Sequence, residues 1–266
     1  MIHPGNTKAT VALALLTVVG LGLTSCSSAD DATETTQDHP VENLLAPDAR
    51  DDQRAAGGAT MMAMELGFDQ VQTASDAEID AVRENAADRA DAAQELNVEP
   101  ASCAQPIAEL DWSPILAPSD AVSRVDFGTD NFMGAGSVEV AGMTEDTGGS
   151  AQAADHLAIH QRAVEDITAN CNNITMMLAD ESEPDWAELE YTFTAEAVET
   201  ESGAGLLWQR YPTDDSQGNS TTALTMMTEH EGYAIQVAFI GGEDITDDEF
   251  TDITETILAS AVEQLD

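Results

Sequence analysis

The sequence predicts an α+β fold: a curved antiparallel sheet of about six or seven strands with helices packed on one face. Three observations carry this prediction. Strand-like segments cluster after residue 173 instead of alternating with helices. The links between them are short, which calls for an antiparallel meander. Two long segments repeat apolar residues at spacings of three and four, the mark of helices that need a surface to cover.

Taken in order, Ser75-Asp-Ala-Glu78 is a capping box that opens a helix running to about Leu96. Its inner face is Ile79, Val82, Ala86, Ala90 and Ala93, thin enough for close packing but modest in burial. Pro100, Cys103 and Pro106 then interrupt the chain. Two strands are expected near Ser123–Gly128 and Ser137–Met143. From about Ala151 to Cys171 a better-defined helix places Ala153, Leu157, His160, Val164, Ile167 and Cys171 on one stripe. A strand follows at Ile174–Ala179. The clearest alternation lies between Glu188 and Val198, where Leu189, Tyr191, Phe193, Ala195 and Ala197 face one way. Strands near Leu206–Tyr211, Thr221–Thr228 and Tyr233–Ile240 complete the meander, the last two joined tightly through Glu229-His230-Glu231-Gly232. A second capping box, Thr246-Asp-Asp-Glu249, starts a closing helix with Phe250, Ile253, Ile257, Ala261 and Leu265 inward.

The chain divides into three parts. Residues 1–25 read as an export signal: Lys8 is followed by an uncharged apolar stretch, Val11 to Leu23, shorter than the roughly 20 residues of a membrane span. This stretch ends in Leu23-Thr24-Ser25-Cys26, which resembles the lipobox of bacterial lipoproteins. That resemblance implies acylation of Cys26, which becomes the first mature residue, and attachment to the outer face of the cell membrane. Residues 26–58 are expected to be a polar, acidic tether, too poor in large apolar groups to offset the entropy of ordering. Residues 59–266 are expected to form a single domain with a sizeable core.

After Cys26 the chain holds seven arginines, no lysine and 51 acidic residues, a formal charge of −44. Such a surface repels phosphate backbones, so nucleic acid is not an expected partner. It also holds the body away from anionic headgroups and leaves anchoring to the acyl chains. With Cys26 committed to lipid, Cys103 and Cys171 remain. In an exported chain the expected state of two such cysteines is a disulfide. Two free thiols are the alternative, but no second Cys or His stands at zinc spacing beside either.

Catalytic signatures are scarce. There is no G-x-S-x-G elbow, P-loop, dinucleotide fingerprint or calcium loop of the D-x-[DN]-x-[DN]-G type. Acidic pairs are too common for any one to stand out as a glycosidase dyad. His156 and His160 are four apart, but Leu157 stands where a zinc-protease helix carries Glu, so His160 reads as a hydrogen-bonded histidine at the core edge. Met61-Met62-Ala63-Met64, with Met176-Met177 and Met226-Met227, suggests soft copper ligation, yet methionine fills irregular core gaps, and neighbours on a strand face opposite ways, so neither strand pair can chelate as a unit. No metal or cofactor is expected. Trp208, Arg210 and Tyr211 lie together near a strand end, where Arg210 could orient a polar ligand and Trp208 could stack on it. Trp208, Arg210, Tyr211 and His160 are thus the candidate ligand-binding residues, and a salt-bridged arginine beside core aromatics is the competing reading.

Glu99-Pro100-Ala101-Ser102-Cys103, the helix through Ala169-Asn170-Cys171, and Tyr233 to Gly241 before the last helix form a layout. It resembles actinobacterial lipoproteins with a PknH-like extracellular sensor domain, from about Ser75 to Asp266. The resemblance implies helices around a sheet with a cleft for an unidentified extracellular ligand. Those domains often carry a second, later disulfide, and this chain has no cysteine after Cys171. The expected function is therefore a non-enzymatic, lipid-anchored ligand-binding or sensor-like module. Its expected partner is a small-molecule or cell-envelope ligand, with a protein partner in the envelope if it signals. A lipid or glycolipid carrier is the alternative, and an extracytoplasmic hydrolase ranks below both.

Overall fold

The structure, a computed structural model, describes residues 40–93, 97–179, 188–214 and 220–266. The export signal, Cys26 and the first part of the expected tether lie outside the described residues. In chain order the elements are α1 (Pro40–Leu44), α2 (Asp51–Glu65), β1 (Gln70–Thr73), α3 (Asp76–Ala93), β2 (Asn97–Glu99), α4 (Ala104–Glu109), β3 (Val122–Gly128) and β4 (Gly134–Gly142). Then follow α5 (Ala151–Asn170), β5 (Asn173–Ala179), β6 (Glu188–Glu199), β7 (Ala204–Pro212), β8 (Thr221–His230), β9 (Tyr233–Gly241) and α6 (Asp248–Val262). All nine strands join one antiparallel sheet in the order β1-β3-β4-β9-β8-β7-β6-β5-β2. The class is α+β, as the clustering of strands predicts.

Two strands exceed the expected six or seven. Both are edge strands, β1 and β2, four and three residues long. Strands that short hold too few residues to display a period of two. The meander runs β5 to β9 through consecutive antiparallel pairs. Its tightest link is Glu231-Gly232, both with positive φ (48° and 78°). That geometry suits the twist of a two-residue hairpin, and glycine adopts it without strain.

Helices cover both faces of the sheet, not one. On the first face, Val125, Val138, Leu224, Ile235 and Val237 pack under α2 and α6. On the second, Phe193, Leu206 and Trp208 pack with Ile107 of α4 and Ile167 of α5. Beside them Val122, Ala141 and Ala234 meet Ile79 of α3 and Ile115. The reason is visible in β9, where Tyr233, Ile235, Val237 and Phe239 serve the first face while Ala234 and Ala238 are also buried. A strand apolar on both sides needs cover on both sides.

The expected tether ends sooner than residue 58. Val41 and Leu44 of α1 are buried, and α2 carries Asp52, Ala55, Ala56 and Ala59 fully buried. Its buried stripe is alanine and glycine, so α2 reads as weakly apolar in sequence yet packs closely. A Cβ on Gly58 would stand 3.0 Å from the Ser260 carbonyl oxygen, and the Ser260 hydroxyl donates to the Gly58 carbonyl at 3.1 Å. Asp52 is held by Arg50 at 2.9 Å and by the Ser123 hydroxyl at 2.8 Å, which ties α2 to β3.

Cys103 and Cys171 form a disulfide, with Cα atoms 5.7 Å apart. It joins the turn before α4 to the C-terminal cap of α5. This staple fixes both helices over β5–β7 and sets the position of the site described next.

Candidate functional site

Between α5 and the second face of the sheet lies a cavity of about 320 Å³. Its floor comes from β7, β8 and β9 through Leu206, Trp208, Thr225, Met227 and Gln236. Its wall comes from His160 and Val164 on α5, with Leu110 and Trp112 closing one side. Glu165 and Glu199, both exposed, stand at the mouth. Strand alternation explains the floor. In register, Gln236 pairs with Met227 and Thr225 with Leu206, so all four present the same face.

Trp112 sits on the segment between α4 and β3, and that segment is pinned. The Ile115 N–H donates to Glu139 Oε2 at 3.1 Å. The Arg83 guanidinium donates to the carbonyls of Ile115 and Ala117, both at 2.7 Å. Glu139 is itself buried and receives Arg124 Nη1 at 2.7 Å, while Arg124 also pairs with Asp126 at 2.7 Å. Burial works against the charge on Arg124, but Glu139 and Asp126 outweigh it and hold its pKa above the ordinary value.

Three polar atoms at the cavity are buried and lack a hydrogen-bond partner among the described residues: Trp112 Nε1, Thr225 Oγ1 and Gln236 Oε1. Each such atom costs about 1–3 kcal/mol relative to its hydrated state. Finding three on one cavity is a concentration of unsatisfied capacity on an otherwise apolar floor. Small-molecule sites have this composition, apolar walls with a few convergent polar groups.

His160 is 7% exposed and packs its ring 5.5 Å from that of Trp112. Its Nδ1 lies 3.3 Å from the Glu109 carbonyl. The carbonyl can only accept, so Nδ1 carries the hydrogen and Nε2 keeps its lone pair. Burial pushes the His160 pKa down to about 4, with the Glu109 bond opposing it weakly, so the ring is neutral at pH 7.

The four residues expected at a ligand site divide evenly. Trp208 and His160 both line the cavity, from opposite sides. Trp208 is 2% exposed and stacks on Phe193 at 5.9 Å. Arg210 shares the face of Trp208 but lies farther along β7, its guanidinium 5.3 Å from the Tyr191 ring centroid and its Nη2 donating to Thr221 at 3.2 Å. Burial pulls its pKa below the ordinary value, with Tyr191 opposing. Tyr211, one residue on, faces the opposite side of the sheet and is 40% exposed. Adjacent strand positions cannot share a face, which separates Tyr211 from the others.

Trp112, Thr225 and Gln236 were not legible as site residues. One signal was available for Gln236. It is the only strongly polar residue inside the apolar run Tyr233 to Ile240, a buried strand where an amide needs a partner. His156 lies 3.4 Å from Gln152 and away from the buried stripe. Met226 and Met227 face opposite sides, with Met227 on the cavity. Among the described residues no group of three or more His, Cys, Asp or Glu side chains is placed to hold a metal ion. Among them, too, no helix is long and apolar enough to cross a membrane.

Comparison with protein-family models finds none that matches the chain, and comparison with curated proteins finds no match.

Proposed function

We propose that this protein is an exported lipoprotein, anchored through acylated Cys26, whose folded body binds a small ligand without transforming it. The observation that carries the reading is the set of buried, unpartnered polar atoms on Trp112, Thr225 and Gln236, gathered on one apolar cavity. A ligand that supplies three partners recovers a cost the empty fold bears. Rigid supports favour binding over catalysis. Trp112 leads into a segment pinned by Arg83 and Glu139, and His160 is neutral and already engaged through Nδ1. The resemblance of the sequence layout to PknH-like sensor domains supports the same class of role. The cavity volume lies at the low end of the range for small-molecule sites, about 300–1,000 Å³. That favours a compact ligand over a many-chained lipid carried in transit.

Native mass spectrometry of the full chain, purified in detergent from its own host, tests this. The expected result is a retained molecule of a few hundred daltons at most, lost when Val164→Phe fills the cavity. Retention unaffected by Val164→Phe, or a multi-chain lipid as the bound species, would overturn it.

A further inference from the structure

We propose that the cavity takes an organic cation: a compact amine with an apolar body and one hydrogen-bond acceptor. This rests on the reading of the cavity as a ligand site. The first argument is the set of acceptors that the cavity presents. Gln236 Oε1 can only accept, and Thr225 Oγ1 can accept as well as donate. His160 keeps an acceptor at Nε2 because Nδ1 donates to Glu109. Trp112 Nε1 is a fixed donor. Those three acceptors suit a ligand with N–H groups, and the indole N–H calls for one acceptor on it.

Charge supplies the second argument. The cavity lining holds no lysine or arginine, and Glu165 and Glu199 stand at its mouth. Of the basic groups on the sheet beside it, Arg124 is matched by two carboxylates, Glu139 and Asp126, and Arg210 lies farther along β7, over the Tyr191 ring and bonded to Thr221. Glu139 is the register partner of Gln236. The carboxylates of Glu165 and Glu199 at the mouth oppose the entry of a carboxylate or phosphate and favour that of an ammonium. The aromatic walls, Trp112 and Trp208, add attraction for a cation. Across the whole chain the formal charge of −43 biases encounter the same way.

Calorimetric titration of the full chain in detergent with three matched probes tests the assignment. 2-Amino-1-phenylethanol, 1-phenylethane-1,2-diol and mandelate share a body and a hydroxyl and differ as cation, neutral and anion. The amine is expected to bind about tenfold tighter than the diol, and mandelate not at all. Glu165→Gln with Glu199→Gln should remove several-fold of that advantage. Val164→Phe, or Ala197→Phe at the exposed mouth if the first variant fails to fold, should abolish amine binding. Amine binding that survives the cavity-filling variant reports the acidic surface and overturns the proposal. Equal or tighter binding of the diol or mandelate, blocked by cavity filling, overturns the cation assignment and leaves the ligand site standing. Binding of none of the three overturns the assignment, and the mass spectrum of the host-purified protein then judges the site independently.

Discussion

Replacing Thr225 by valine separates a ligand site from an ordinary core position. Thr225 is 9% exposed, lies on β8 opposite Ala238 and Leu206, and its hydroxyl has no hydrogen-bond partner among the described residues. Valine keeps the branch at Cβ and so keeps the restricted χ1 that suits a strand. The exchange therefore alters chemistry more than shape. An unsatisfied buried hydroxyl costs about 1–3 kcal/mol, and its removal is expected to stabilise the ligand-free fold by about 1–2 kcal/mol. For a domain of this size that corresponds to a rise in Tm of about 2–8 °C. The assay is urea and thermal unfolding of protein refolded from denaturant, which strips any bound molecule. The same variant should bind ligand more weakly, so stability and binding move in opposite directions. A loss of 1 kcal/mol or more on Thr225→Val would show that the hydroxyl is already satisfied, and the argument from unpartnered groups would fail.

Further outcomes follow from other parts of the fold. His160 has a pKa of about 4 in the folded state against an ordinary 6.5, so the unfolded chain binds the extra proton between those values. Its contribution is therefore complete above pH 6.5 and declines by roughly 3 kcal/mol as pH falls to 4. Subtracting the unfolding profile of His160→Asn removes the background of the many carboxylates, and parallel profiles would refute the assignment. Opening the Cys103–Cys171 bond, which spans 68 residues, should cost about 4 kcal/mol by loop entropy. Urea unfolding of Cys103→Ala/Cys171→Ala measures this, and an unchanged midpoint contradicts it. Gly58→Val should destabilise by about 1–3 kcal/mol because α2 and α6 cannot separate cheaply. Unaltered stability would mean that residues 40–58 are not part of the cooperative fold.

Legibility followed the size of side chains and the length of elements. Glu188 to Val198 and Tyr233 to Ile240 were readable because long strands repeat their pattern many times. Edge strands β1 and β2 were not, since three or four residues cannot establish a period. Helix α2 was hidden because close packing selects alanine and glycine, the residues that hydropathy weights least. The short helix α4 was hidden by Pro106, which sits in its first turn, where a missing N–H costs nothing. At the cavity, Trp208 and His160 stood out as large or titratable groups. Thr225 and Gln236 did not, because their significance lies in an absent partner, and that is a property of three-dimensional neighbours. Tyr211 lies apart from the cavity because a strand converts proximity in sequence into opposite faces.

The most direct measurement of the central claim is a crystal structure of the full chain purified from its own host. The account predicts a non-protein molecule between α5 and the sheet, within hydrogen-bond distance of Gln236 Oε1 and Thr225 Oγ1. Side-chain rearrangement that closes the cavity and pairs those two atoms with other protein groups would contradict it.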